Sequence, residues 1–393
     1  MMPTLKTALC QKLGLRTTFP IFTAIAATAI LAAFVPGMVG APQGGGQSAT
    51  PEQVKVKPVN YLPNPYETVP NFGTLPDGRT WGAVSAVNVD ADGKHIWAGD
   101  RCGTNSCAGS DVDPIVKLDP NGKVVQSFGA GMLIWPHGMD VDRQGNIWVA
   151  DTRSATPKEL ETSPDAAGKG HVVIKFSPQG KVLMTLGTPG TAGDLPTHFT
   201  EPNDVLVAPD GSIFVGEGHV SQGADNAAPA PVARMSKFSP DGKLTKSWGS
   251  WGSGPGQFRS PHSLAMDSLG RLFVADRGNS RIQIFDQDGK LLDTWYQFSR
   301  PSGVYIAAND VLYAIDSDSD EVRNPGWRKG LRVGSARTGE VTYLVPEHFT
   351  KRAPGQGVYG SMGEGVAVDA QGNVYAGEVA IRGLSKFIPR LIP

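Results

Sequence analysis

Two histidines occupy the same place in two copies of one phrase, "WPHGMDVDRQGNIWVAD" (135–151) and "SPHSLAMDSLGRLFVAD" (260–276). Each follows a proline and precedes a turn residue by eight positions: His137 before Gly145, His262 before Gly270. The same count elsewhere selects Ser85, Asn203 and Glu364, and Ser302 where Asp310 replaces the glycine. In chain order the six copies therefore read Ser, His, Asn, His, Ser, Glu. Alternate members of a sixfold ring are related by a threefold rotation, so His137, His262 and Glu364 would converge on the axis as a tripod. Two imidazoles and a carboxylate with open positions suit catalytic Zn²⁺, and Fe²⁺ as well. A single histidine there is more simply a strand cap. Ligand types on alternate copies, and nowhere else in that register, favour a divalent metal.

The phrase recurs through the chain, as in "VNVDADGKHIWAGD", "VLVAPDGSIFVGE" and "VAVDAQGNVYAGE". Most copies continue into a second hairpin, as in "IVKLDPNGKVVQSFG". Period-two alternation broken by Asp-Gly, Asn-Gly and Gln-Gly predicts antiparallel hairpins, four short strands to each unit. One such sheet cannot bury both its faces. Six stacked around an axis can, and radial repetition protects their edges. The expectation is an all-β, six-bladed β-propeller over residues 58–393. The last copy ends near "LSKFIPRLIP" without a fourth strand, so "YLPNPYETVPNFG" should supply an outer strand that closes the ring.

The second strands all end in an acid: Asp100, Asp151, Glu217, Asp276, Asp316 and Glu378. A residue present in every blade reads as structural, accepting backbone N–H bonds. The residues just after the acid differ between copies: Arg101 after Asp100, Arg277 after Asp276, and His219 two beyond Glu217. Long insertions in blades two and three ("SATPKELETSPDAAGKGH" and "VSQGADNAAPAPVA") leave from the same end and can wall a pocket. "DSDSDE" (316–321) lacks the spacing of a calcium loop and reads as a solvated acidic loop.

Composition narrows the partners. With 36 basic and 37 acidic residues there is no basic footprint, which excludes nucleic acid. The N-terminus carries Lys6, Lys12 and Arg16 before "FPIFTAIAATAILAAFVPGMVGA", with Val39 and Ala41 placed as in a signal-peptidase site. Residues 1–41 therefore read as a secretory signal peptide, or a membrane anchor if uncleaved, and 42–57 as a flexible linker. The folded part is expected to be secreted or periplasmic. Cys102 and Cys107 then remain in an oxidising compartment, close enough in sequence to form a disulfide.

The repeats resemble NHL repeats. More narrowly, "PHGMDVDRQGNIWVAD", "EPNDVLVAPDGSIFVGEGH" and "GPGQFRSPHSLAMDSLGRLFVADRGNSRIQIF" resemble the peptidyl-α-hydroxyglycine α-amidating lyase (peptidylamidoglycolate lyase) family. That resemblance implies a propeller with a central zinc on three histidines. The implied reaction splits a carbinolamide into a primary amide and glyoxylate. His137 and His262 match the first two ligands, and Arg101 the arginine that holds the substrate carboxylate. Met362 matches a methionine that precedes the third ligand and, with Asn203, is placed at the substrate pocket. Three positions depart from the family pattern. Its third histidine falls on Glu364, its catalytic tyrosine on His219, and an aspartate of its structural Ca²⁺ site on Gly365. His219 would then move a proton, with Arg277 helping Arg101, and the calcium is not carried over.

The expected reaction is metal-dependent C–N lysis by a monomer, on a small molecule or the C-terminus of a peptide. Two alternatives stand beside it. One is a propeller lactone or ester hydrolase, in which Asn203 joins the coordination. The other is a non-catalytic NHL interaction scaffold. No Gly-x-Ser-x-Gly elbow, Walker loop or dinucleotide fingerprint points elsewhere.

Overall fold

Alternating apolar and polar side chains, broken by glycine turns, leave each sheet with two faces to cover. The computed structural model describes residues 56–219, 232–350 and 359–390, and among them six four-stranded antiparallel sheets cover those faces by stacking on one another. The all-β, six-bladed propeller expected from the repeats is present.

The innermost strands of blades one to five are Val84–Val89, Pro136–Val141, Pro202–Val207, Pro261–Met266 and Gly303–Ile306. Blade six runs Gly365–Val368, Val374–Glu378 and Gly383–Pro389, and takes its outer strand, Tyr66–Phe72, from the far end of the described chain. Tyr66 pairs with Pro389 and Phe72 with Leu384, so the ring closes as the unfinished last repeat predicts.

The second strands form the core. Ile96–Asp100, Ile147–Asp151, Ile213–Glu217, Leu272–Asp276 and Val374–Glu378 are buried at every position. Each carries an aromatic wedge that joins the apolar cluster of the following blade. Trp97 packs with Met139 and Val149, Trp148 with Val205 and Val215, and Tyr375 closes the circle against Val84 and Val87. Burying an aromatic of this size contributes roughly 1.5–3 kcal/mol, which makes the wedges the main apolar joints between blades.

Two loops differ in kind from their expectation or add to it. "DSDSDE" is only partly solvated: Asp316 ends its strand buried against the Ser299 and Ser319 hydroxyls, Asp318 pairs with Arg300 and Arg323 at 3.1 Å each, and Glu321 is exposed. The blade-two insertion forms a short helix, Pro157–Thr162, started by a reciprocal Thr156–Glu159 cap. Residues 220–231 of the blade-three insertion, the expected signal peptide and all but the end of the linker lie outside the described residues. No described helix is long and apolar enough to cross a membrane.

A chain begun at Gly73 lacks the outer strand of blade six. We expect it to melt at least several °C lower, at about 2–4 °C per kcal/mol lost, or to lose its cooperative transition; calorimetry on the two proteins checks this.

Candidate functional site

The register that carries the histidines is a β-bulge. In blade two Pro136 faces Asp151 and Gly138 faces Ala150, so His137 is the extra residue between the two pairs. Ser85, Asn203 and His262 are the extra residues of blades one, three and four. A bulge bends its strand and re-aims one side chain, here toward the axis. Ser302 and Glu364 sit one residue before the first paired position of blades five and six.

The acidic ring holds these bulges in place. Asp151 accepts the N–H of Ile134 at 3.0 Å and of Trp135 at 2.5 Å, immediately upstream of Pro136 and His137. Asp100 grips Gly82 at 2.6 Å, Glu217 Thr200 at 3.0 Å and Asp276 Arg259 at 2.8 Å. All four carboxylates are buried, and burial pushes that of Asp151 up to about 6. Their role is the structural one the repeat predicted.

The bulge side chains of blades one to four then bond the backbone of the next blade. Ser85 Oγ donates to Pro136 O at 3.3 Å and Asn203 Nδ2 to Pro261 O at 3.0 Å. His137 Nδ1 lies 2.8 Å from Asn203 O, and His262 Nδ1 2.7 Å from Ser302 O. A carbonyl only accepts, so Nδ1 carries the proton on both rings and Nε2 is left as a lone pair. Both Nε2 atoms are buried without a hydrogen-bond partner among the described residues, as is Asn203 Oδ1. Burial holds both imidazoles well below their usual pKa, and Arg101 near His137 and Arg277 near His262 act the same way. One nitrogen of each ring caps a strand while the other faces the axis.

His219 arrives from the turn after the second strand of blade three. Gly218 has φ +104° there, and a Cβ on it would lie 1.9 Å from the Val232 carbonyl oxygen, so only glycine makes this turn. The His219 ring centroid is 4.9 Å from that of His137, 5.4 Å from His262 and 5.0 Å from Trp135. The candidate ligand atoms of His137, His219 and His262 lie within 4.8 Å of one another. Burial, with His137 and Arg277 nearby, also holds His219 well below 6.5. Glu364 places Oε2 4.0 Å from His137 Nε2, while its Oε1 accepts from Arg277 at 3.1 Å. Two orphaned buried lone pairs, with a third imidazole and a carboxylate in reach, are a donor set that fits a divalent transition metal.

Arg101 closes one side of this cluster. Its guanidinium lies 3.6 Å from the Trp135 ring centroid and donates to Pro136 O, to Asn105 Oδ1 at 2.7 Å and to Ser85 Oγ at 2.7 Å. Burial pulls its pKa down to about 9, and among the described residues no carboxylate stands within ion-pair distance of it. Asn105 sits on the loop tied by the Cys102–Cys107 disulfide, which is formed. Sequence reasoning did not single out Trp135. Its signal was the contrast between Trp135 and Ser260 at the same place in the two copies. Arg277 is engaged with Glu364, and Met362 packs in the apolar cluster between blades five and six with Tyr313 and Val366. A cavity of about 700 Å³ runs along the innermost strands from His137, His262 and Glu364 past Asp140, Asp204 and Tyr305. Arg101 and His219 do not line this cavity and stand beside its His137 end.

Residues 258–285 match the NHL repeat. This chain has homologues among the peptide-amidating enzymes. Peptidyl-glycine α-amidating monooxygenase B of Xenopus laevis is 30% identical over 292 residues, 70% of this chain and 29% of that protein. Peptidyl-α-hydroxyglycine α-amidating lyase 1 of Drosophila melanogaster is 31% identical over 187 residues, 44% of this chain and 29% of that protein. The chain thus spans under a third of either relative. Human NHL repeat-containing protein 3 is 30% identical over 220 residues, 54% of this chain and 55% of that one. A gluconolactonase from Xanthomonas campestris has the same fold, with a TM-score of 0.51 at 14% identity over 84% of this chain and 99% of that one.

Replacing Gly218 by Ala should displace His219 from the axis. In an NMR titration its imidazole should then move up toward 6.5, while in the unaltered protein it titrates well below that value.

Proposed function

We propose that this chain is a metal-dependent carbon–nitrogen lyase acting on an α-hydroxy-amide, from which it releases a primary amide and glyoxylate or a related aldehyde. The observation that carries this reading is the pair of buried, unpartnered Nε2 atoms of His137 and His262 beside a buried Arg101 that lacks a carboxylate partner among the described residues. The names of the amidating relatives support it.

A divalent ion, when bound, supplies Lewis acidity toward the substrate hydroxyl. Arg101 binds the substrate carboxylate, and its stack on Trp135 and bond to Asn105 fix where that carboxylate sits. Fixing the carboxylate sets the hydroxyl-bearing carbon against the histidine cluster, an orientational gain. The O–H proton leaves, C=O forms, the C–N bond breaks with its electron pair going to nitrogen, and nitrogen takes up a proton. Four ligand-type groups meet here, namely His137, His262, His219 and Glu364. Three hold the metal and the fourth moves the proton. The Cys102–Cys107 disulfide supports placing the folded part on the oxidising side of a membrane, secreted or periplasmic. The substrate is a small molecule or the C-terminal residue of a peptide, taken by a monomer.

Bound metals in the mature chain, measured by plasma mass spectrometry beside glyoxylate release from α-hydroxyhippurate, test the reading. Near-stoichiometric zinc or iron is expected, and His262→Ala should lose metal and turnover together. Metal with lactone hydrolysis in place of glyoxylate release would select the lactonase alternative, and no metal after reconstitution the scaffold. Arg101→Lys keeps the charge but loses the planar fork, so kcat/KM should fall by about 100-fold with metal content unchanged.

Burial already holds the histidines neutral, so protons do not compete with the metal where ordinary imidazoles begin to, near 6.5. Metal affinity from competition titrations should therefore change by less than about twofold between pH 8 and 6.5.

A further inference from the structure

We infer that the third metal ligand in this chain is His219, from the turn of blade three, and not Glu364 of blade six. The inference rests on the metal-dependent reading above and names the donor set within it.

Three observations carry it. The candidate donor atoms of His137, His219 and His262 are mutually within 4.8 Å, a set to which Glu364 does not belong. Glu364 reaches His137 Nε2 only at 4.0 Å, and its other oxygen is committed to Arg277 at 3.1 Å. Arg277 is itself buried, and a carboxylate already sharing its charge with a guanidinium is a poorer donor to a metal than a neutral imidazole lone pair. Finally, His219 is held where it is by backbone sterics. Gly218 occupies a conformation that a side chain cannot share with the Val232 carbonyl, so the imidazole is delivered to the axis by the turn. Together these give three neutral nitrogen donors from blades two, three and four.

The arrangement has a chemical consequence. Three imidazoles leave the ion's positive charge undiminished, whereas an anionic ligand lowers its Lewis acidity. Glu364 becomes the fourth group of the cluster, oriented by Arg277, and takes the proton-moving role.

The test compares zinc affinity and glyoxylate release in the mature chain and in His219→Gln and Glu364→Gln, with thermal melts to confirm folding. Loss of a ligand should weaken zinc by more than about 100-fold in His219→Gln, and loss of an outer partner by about tenfold or less in Glu364→Gln. Glu364→Gln should nonetheless lose about 100-fold or more in kcat. The reverse pattern of zinc loss, or equal loss in both variants, overturns the inference. X-ray absorption on the zinc-loaded unaltered chain decides the case even where a variant fails to fold: three imidazoles are expected, and two overturn it. Zinc bound by three imidazoles without glyoxylate release would sink the lyase reading alone. A chain that takes up no zinc would sink both.

Discussion

A carboxylate buried at the end of a blade's second strand, gripping the N–H groups that lead into the innermost strand, is the interaction on which the site depends. Burying a carboxylate is costly unless several donors meet it. Asp151 meets two consecutive backbone N–H groups, and Asp276 meets Arg259 N–H together with the Asn279 and Arg281 side chains. Because that satisfaction is local to each blade, the repeat can carry a bulge in each of blades one to four. The bulge converts an ordinary strand position into one that faces the axis. Chemistry at the axis therefore derives from a structural rule of the blade, with only the residue type changing from copy to copy.

The axial residues serve structure and chemistry with different atoms. Nδ1 of His137 and of His262 ties its blade to the next, as Ser85 and Asn203 do with their own polar atoms. That same bond fixes the tautomer and leaves Nε2 without a proton. The strand-capping and metal-binding readings of these histidines are thus not rivals. The cap is what presents the lone pair.

Around this ring the protein keeps its charges unevenly satisfied. Glu364 and Arg277 pair with each other. Arg101 is buried on Trp135 with only neutral partners among the described residues, an arrangement that favours an incoming anion. The disulfide loop that brings Asn105 to Arg101 and the capped helix whose Glu159 pairs with Arg153 lie at this same end of the blades.

Much of this was legible in the sequence, because its signals are local and repeated. The turn glycines, the period-two strands and the acid ending each second strand specify the blade. The missing fourth strand of the last copy specifies the closure made by Tyr66–Phe72. The fixed count from His137 and His262 to their turn glycines placed both on one ring. What lay beyond the sequence involved contacts between blades and the aim of side chains after irregular turns. Nothing local to "DSDSDE" says that Arg300 and Arg323 will meet Asp318. Nor does spacing say that Glu364 turns to Arg277, because that pair joins residues 87 apart on different blades. The sequence by itself determined the propeller and the ring of candidate ligands. Only the tertiary structure decided how His219 and Glu364 divide the space at the axis, since that depends on a glycine turn packed against Val232 and on the position of a buried guanidinium.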